Sequence, residues 1–417
     1  MIRLLQSKDL KQAADIASQA YPGMLIQSDE KKKEFIERLE IEQNENNGIQ
    51  FFGCFDEQEE LLGIFRVNDF ECNINGKFQR IFGIGMVAVH LLHKKEKVAF
   101  QLLSYFHRYA RRENVALVSL YPFNLSFYRK MGYGYGPLRY EFKFKPEHII
   151  ADGNKSRVKF LTPADEDAIV SLYNEYAQKN HGMLKRTWKE KEYIKTRKTY
   201  YVGVEEGSRL VGALAFTLDP VKDSHFLHQH MTIHEWTWSS PSAYKQLASW
   251  LSSQQDQVDR IIFRTNDQSF VYSLSNPSND SNHVIPSVYH EVATTGSGIM
   301  YRITNVESFV NENNFYGLGR PQDNTKVILA IEDTFITEQQ GVYELSYSGD
   351  QWQIKKVEKN IQANLTIGIH DLSSWWMGCV SIESLFKYGE VMINQLDPKK
   401  LDEWFKPKSG PICFTAF

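Results

Sequence analysis

Ile2–Leu5 reads as a short strand, and apolar residues at spacings of three and four then predict amphipathic helices over Asp9–Ala20 and Asp29–Gln43. In the second helix Phe35, Ile36, Leu39 and Ile41 supply the buried side, and Lys31–Lys33 a solvated face. Gln50–Phe55 and Leu61–Asp69, joined by a polar turn at Asp56–Glu60, read as a hairpin. Ile81–Val89 (IFGIGMVAV) is apolar on both faces, as a buried central strand should be. A basic stretch, His90–Lys97, leads into a helix with Ala99, Leu102, Leu103, Phe106 and Ala110 on one face. Val115–Leu120 is then a strand that Pro122 ends.

The plan recurs. Tyr200–Phe216 lines up without a gap on Phe51–Val67, placing Gly212 opposite Gly63, and Thr232–Leu251 repeats the later strand, loop and helix. The second loop, Ser239–Ser242, holds no Lys, Arg or Gly, so this copy is expected to have lost phosphate binding. From Gly317 onward Val327–Phe335, Val342–Tyr347, Trp352–Val357 and Leu365–Asp371 alternate as strands. Ser381–Tyr388 and Pro398–Phe405 read as helices, and Ile412–Phe417 as a last strand. The expected division is 1–150, 151–305 and 306–417.

With 48 Lys+Arg against 51 Asp+Glu, the chain of 417 residues has a net charge of −3 and lacks a basic footprint for nucleic acid. No apolar run approaches the roughly 20 residues of a membrane span. Cys54, Cys72, Cys379 and Cys413 lie far apart, without a disulfide-framework or zinc spacing. These features suit a cytoplasmic protein.

A strand ending in a basic loop that opens a helix offers free amides and positive charge to a phosphate-bearing ligand. Here the sequence resembles a family. Val87–Ala99 (VAVHLLHKKEKVA) looks like the acetyl-CoA pyrophosphate loop of the GNAT superfamily of N-acetyltransferases, and Phe127–Gly134 (FYRKMGYG) resembles its closing motif. The whole plan is similar to the enhanced intracellular survival (Eis) family of bacterial acetyltransferases. The fold class implied is α/β plus α+β: two tandem GNAT-type mixed-sheet domains, the second degenerate, then a sterol-carrier-protein-like α+β domain. By that resemblance Val87, Ala88 and Val89 would pair with the pantetheine amides of acetyl-CoA. Lys94, Lys95, Glu96, Lys97, Val98, Ala99 and Phe100 would form the pyrophosphate loop, and Phe123 and Asn124 would flank the arm near the thioester. The family's central loop glycine falls on Lys97, a departure at a position where glycine allows φ > 0.

The resemblance also implies Tyr128 as the general acid that protonates the departing thiolate, with Tyr133 and Tyr135 nearby as alternatives. It makes the terminal carboxylate of Phe417 the base. The apolar end ICFTAF suits a terminus packed inside the protein, or equally a strand whose carboxylate stays in water. The acceptor would be an aminoglycoside-, polyamine- or lysine-like amine; Tyr21, Met24, Asp29 and Glu30 lie where a wall for it could form. Homo-oligomerisation, as a hexamer, is implied by analogy. His225, His228, His230 and His234 read as a polar strand face, and no metal is expected. Trp375, Trp376 and Met377 could line a lipid cavity or pack as core. An acyl-CoA sensor or scaffold, or a lipid-binding module, are the alternatives to catalysis.

Overall fold

The computed structural model describes residues 1–44, 48–186, 199–225, 227–281, 283–285, 289–313, 315, 319–358 and 360–417. Its first half builds β1 (Ile2–Leu4), α1 (Leu10–Ala20), α2 (Asp29–Asn44), β2 (Ile49–Phe55), β3 (Leu61–Ile74), β4 (Lys77–Val89), α3 (Val98–Arg112), β5 (Leu117–Leu120), α4 (Leu125–Arg129) and β6 (Gly134–Tyr135). The Phe51–Phe52 doublet shows how the pleat sorts side chains to opposite faces. Phe51 and Ile64 pack with α1 and α2, whereas Phe52 and Phe65 pack with α3. Ile41, expected on the buried side of α2, is 54 % exposed. Six residues beyond Phe35, it is turned about 240° away from that face at 3.6 residues per turn. Lys31 and Lys32 meet Glu34 and Asp15 at 2.7 and 2.6 Å, as a solvated face does.

The next segment holds β7 (Leu138–Phe144), β8 (Val158–Leu161), α5 (Glu166–Lys179), β9 (Tyr200–Glu206), β10 (Arg209–Pro220), β11 (Gln229–Trp238) and β12 (Arg260–Thr265). A small hairpin of β13 (Val284–Ile285) and β14 (Tyr289–His290) follows, then β15 (Ala293–Ser297) and β16 (Met300–Ile303). Two seven-stranded sheets result, ordered β1-β2-β3-β4-β5-β16-β6 and β15-β7-β12-β11-β10-β9-β8. The two units exchange strands. β7 precedes the expected division at 150 yet pairs with β12 and β15, while β16 returns to lie between β5 and β6. Such non-local pairing leaves no trace in local periodicity.

The repeat seen in the sequence is structural. Gly63 and Gly212 occupy equivalent strand positions, and each lets the following helix approach. A Cβ on Gly63 would stand 3.0 Å from Val98, and one on Gly212 would stand 3.2 Å from Ala243. The third region is a five-stranded sheet ordered β19-β18-β17-β20-β21, from β17 (Lys326–Glu332), β18 (Gly341–Ser348), β19 (Gln351–Val357), β20 (Leu365–Gly368) and β21 (Met392–Ile393). Two expectations are corrected there. Leu365–Asp371 is a strand only to Gly368, where a helix, Ile369–Trp376, begins. Ile412–Phe417 joins no sheet and runs as a tail toward the first domain. Trp375 and Trp376 are buried in the core, packed on Phe405 and, for Trp376, stacked on Phe309.

His181 pins that tail. Its Nδ1 accepts from the Asn75 N–H at 3.2 Å, its Nε2 lies 3.1 Å from the Met377 carbonyl, and its own carbonyl accepts from Ile412 N–H at 2.8 Å. One neutral imidazole thus joins all three regions, and burial lowers its pKa to about 4. A histidine that is neutral when folded but titrates near 6.5 when unfolded takes up its proton on unfolding. Its contribution is complete above pH 6.5 and is lost as the pH falls toward 4. Urea unfolding of the wild type between pH 7.5 and 5 should lose about 2 kcal/mol more stability than His181→Gln does. Equal losses in both would refute the assignment.

Candidate active site

The pairing of β4 with β5 runs from Phe82–Val118 to Ile84–Leu120 and stops, although β4 continues to Val89. A bulge causes the parting. The β3–β4 register shifts between Ile64 and Arg66, and Met86 takes a left-handed φ of 49°. The last residues of β4 therefore part from β5. A cavity of about 260 Å³ fills the opening.

The cavity's floor is Ile84–Val87. One wall comes from Tyr21, Met24, Arg38 and Glu42 of the helical layer, and Arg66 of β3 faces it. Tyr121 and Phe123 close the β5 side, and Tyr128 and Phe417 complete the lining. Of the residues read as an acceptor wall, Tyr21 and Met24 take part, whereas Asp29 and Glu30 are exposed on the first turn of α2 and line none of it. The Tyr21 hydroxyl donates to the Val87 carbonyl at 2.8 Å, and burial pushes its pKa up to about 12.

Tyr128 is buried, its ring packed edge-on against Phe123, Phe127 and Tyr133. Burial raises its phenol well above the usual range, so the group stays protonated at neutral pH. Tyr133, the alternative acid, is fully buried outside the cavity lining, and Tyr135 is 41 % exposed and also outside it.

Phe417 arrives by way of its neighbours. The Tyr121 hydroxyl donates to the Thr415 carbonyl at 3.0 Å, and the Phe417 ring lies 5.1 and 5.3 Å from the rings of Phe70 and Tyr121. Gly83 makes this seat possible, because a Cβ there would stand 2.6 Å from the Phe417 ring. A Cβ on Gly85 would lie 3.4 Å from both the Phe417 carboxyl carbon and Nη2 of Arg66, so these two groups face the same side of the strand.

The loop after β4 is exposed from Lys94 to Lys97, and Glu96 pairs with His93 at 2.9 Å. Lys95 and Lys97 have φ of 68° and 60°. Lys97 thus adopts the left-handed conformation that the glycine of the resembled motif would allow, at a cost of about 1–2 kcal/mol. It stands at the N-cap of α3 without a side-chain cap and with no acidic residue in the first turn, so the amides of Val98, Ala99 and Phe100 head the helix beside three lysines. The repeat differs at this point. Ser240 caps the equivalent helix, Pro241–Ser252, by accepting from Ala243 N–H at 3.2 Å, and Pro241 contributes no N–H. The Asn124 side chain accepts from Phe127 N–H at 3.0 Å and caps α4, and it is not among the residues lining the cavity. Phe123 does line the cavity, while the Phe100 ring packs on Phe335 at 4.9 Å.

Residues 1–136 match the Acetyltransferase (GNAT) domain, residues 182–303 match a second model of the same description, and 306–414 match the Sterol carrier protein domain. The protein is a tandem-GNAT acetyltransferase. The acetyltransferase has an Eis-like arrangement of domains. It shares its fold with a probable N-acyltransferase from Enterococcus faecalis (18 % identity, TM-score 0.79, covering 100 % of this chain and 99 % of that one). A GCN5-related N-acetyltransferase from Anabaena variabilis (16 %, TM-score 0.80) and Eis1 from Mycobacterium abscessus (16 %, TM-score 0.75) each align over 100 % of both chains. No curated protein sequence matches significantly.

Among the described residues of the acetyltransferase no helix is long and apolar enough to cross a membrane, and no three His, Cys, Asp or Glu side chains group to hold a metal. His228 and His230 lie 3.4 and 3.7 Å from Asp259, and His234 bonds Thr217 at 3.0 Å. Arg38, Glu42, Arg66 and Tyr121 were not singled out by sequence. They come from three places, α2, β3 and the loop after β5, and only the fold brings them together.

Proposed function

We propose that the cavity where β4 and β5 part is the acetyl-transfer site of an acetyl-CoA-dependent N-acetyltransferase. The observation that carries this reading is the meeting, in one cavity, of Tyr128, the chain's terminal residue and the free end of β4. Acetyl-CoA supplies an activated acetyl thioester. The remaining polar groups of Val87–Val89 suit its pantetheine amides, Tyr21 having taken the Val87 carbonyl. The amides of Val98–Phe100 with Lys94, Lys95 and Lys97 suit its pyrophosphate.

A neutral primary amine then attacks the thioester carbonyl; the C–N bond forms as the C–S bond breaks. The Phe417 carboxylate takes the amine's proton, and Tyr128 gives one to the departing sulfur. The Phe417 ring, seated against Phe70 and Tyr121, holds that carboxyl at the cavity. The left-handed Lys97 gives the loop the conformation that glycine would give it, which supports acetyl-CoA binding. The second GNAT domain, its helix capped and lacking the cations, acts as a scaffold for β7 and the tail. A cytoplasmic homo-oligomer is the expected setting. Acetylation of a primary amine by the purified chain and acetyl-CoA, read by mass spectrometry of the product, tests the reading.

A further inference from the structure

The charges of the cavity point to the chemistry of the acceptor. Arg66 reaches it from β3 with its Nε buried and without a hydrogen-bond partner among the described residues. Its nearest carboxylate, that of Glu42, is 3.9 Å from Nη1, beyond hydrogen-bond distance. The Arg66 side chain as a whole is 21 % exposed, but a buried N–H such as this Nε is costly unless an anion or carbonyl satisfies it. The cavity it faces is the place from which such a group can come. Arg38 adds a second positive charge from the facing helical wall, its guanidinium 4.9 Å from the Phe35 ring centroid. Glu42 is the acidic side chain among the lining residues. Beside Arg66, on the same side of Gly85, lies the carboxyl of Phe417.

We propose that the acceptor is a small amine that itself carries a carboxylate, its amine directed to Phe417 and its carboxylate to Arg66. The proposal rests on the acetyltransferase reading above and narrows its substrate class. A cationic arginine and an anionic chain end side by side complement a zwitterion, and the fork of a guanidinium matches a carboxylate in two parallel hydrogen bonds. A polycation such as a polyamine or aminoglycoside would bring further ammonium groups against Arg38 and Arg66. A phosphate would set a second negative charge against Phe417 and Glu42. At about 260 Å³ the cavity is also below the roughly 300–1,000 Å³ of sites for drug-sized ligands.

The experiment measures kcat and KM of the full chain at saturating acetyl-CoA. The panel comprises amino acids and dipeptides, the matching carboxamides, spermidine, kanamycin and phosphoethanolamine. Carboxylates are expected to exceed their carboxamides about thirtyfold in kcat/KM, and Arg66→Gln should raise KM for the carboxylates by a similar factor while leaving the carboxamides within about twofold. Should Arg66→Gln fail to fold, Arg66→Lys, which keeps the charge but loses the fork, should raise the same KM several-fold. Carboxamides, polycations or phosphoethanolamine acetylated as well as or better than the carboxylates would overturn the proposal and leave N-acetyl transfer standing. So would an Arg66→Gln effect equal for both members of a pair. Binding of acetyl-CoA with no amine of any class acetylated would remove the transfer reading, and this inference with it.

Discussion

A chain ending at Ala416, without Phe417, is expected to lose amine acetylation by about a hundredfold or more, the order expected of a general base. Deleting one residue moves the terminal carboxylate back by roughly 3.5 Å and empties the seat against Phe70, Tyr121 and Gly83. The rest of the tail keeps its ties, with Ile412 held by His181 and Thr415 by Tyr121, so folding should survive. Tyr128→Phe should cost a similar factor in kcat with the ring packing retained, because only the hydroxyl is lost. Steady-state kinetics of the two variants and their combination check this. Losses that multiply would indicate independent steps, whereas a double variant no worse than either single one would indicate a concerted transfer. Activity within threefold of the intact chain in both variants would contradict the assigned roles.

The second large effect is on stability. Arg302 and Asp333 form a fully buried ion pair at 2.6 Å between β16 in the first sheet and the residue that follows β17. Arg302 also donates to the Met131 carbonyl at 2.6 Å, and Asp333 accepts from the N–H groups of Phe335 and Ile336 at 3.1 and 2.9 Å. Removing one partner of such a pair leaves an uncompensated buried charge, at a cost of about 3–5 kcal/mol. Arg302→Met should therefore lower the unfolding free energy by that amount. Arg302→Met with Asp333→Asn should recover part of it, since a neutral amide can still accept the two turn N–H groups. Chemical denaturation gives both values. A loss below about 1 kcal/mol in the single variant would mean that the pair does not hold the two regions together.

This pair also explains what was legible in the sequence. The helices, the hairpin β2–β3, the central strand and the repeat follow from period and apolar content, because each element's core face is sorted locally. The tyrosine of FYRKMGYG, Tyr128, lines the cavity, whereas the motif's glycines serve another purpose. A Cβ on Gly132, at φ 81°, would overlap the Arg302 guanidinium, and one on Gly134 would overlap the His370 carbonyl of the third region. These contacts span more than 160 residues of sequence, so no local pattern encodes them. The same applies to the β7–β16 exchange and to Arg66 beside Phe417. The Asn124 side chain has a local role that the sequence also carries: Asn three residues before an amide in a helix's first turn is a strong N-cap. Lys97 shows the reverse, since its side chain looked unsuited to the loop while its backbone takes up the left-handed turn.

The most direct measurement is thiol release from acetyl-CoA by the intact chain, followed with a thiol reagent in the presence and absence of primary amines. The structure predicts release that depends on the amine, matches acetylated product mole for mole, and saturates in both substrates. Tight acetyl-CoA binding without amine-dependent release, from a protein with intact folding, would contradict it.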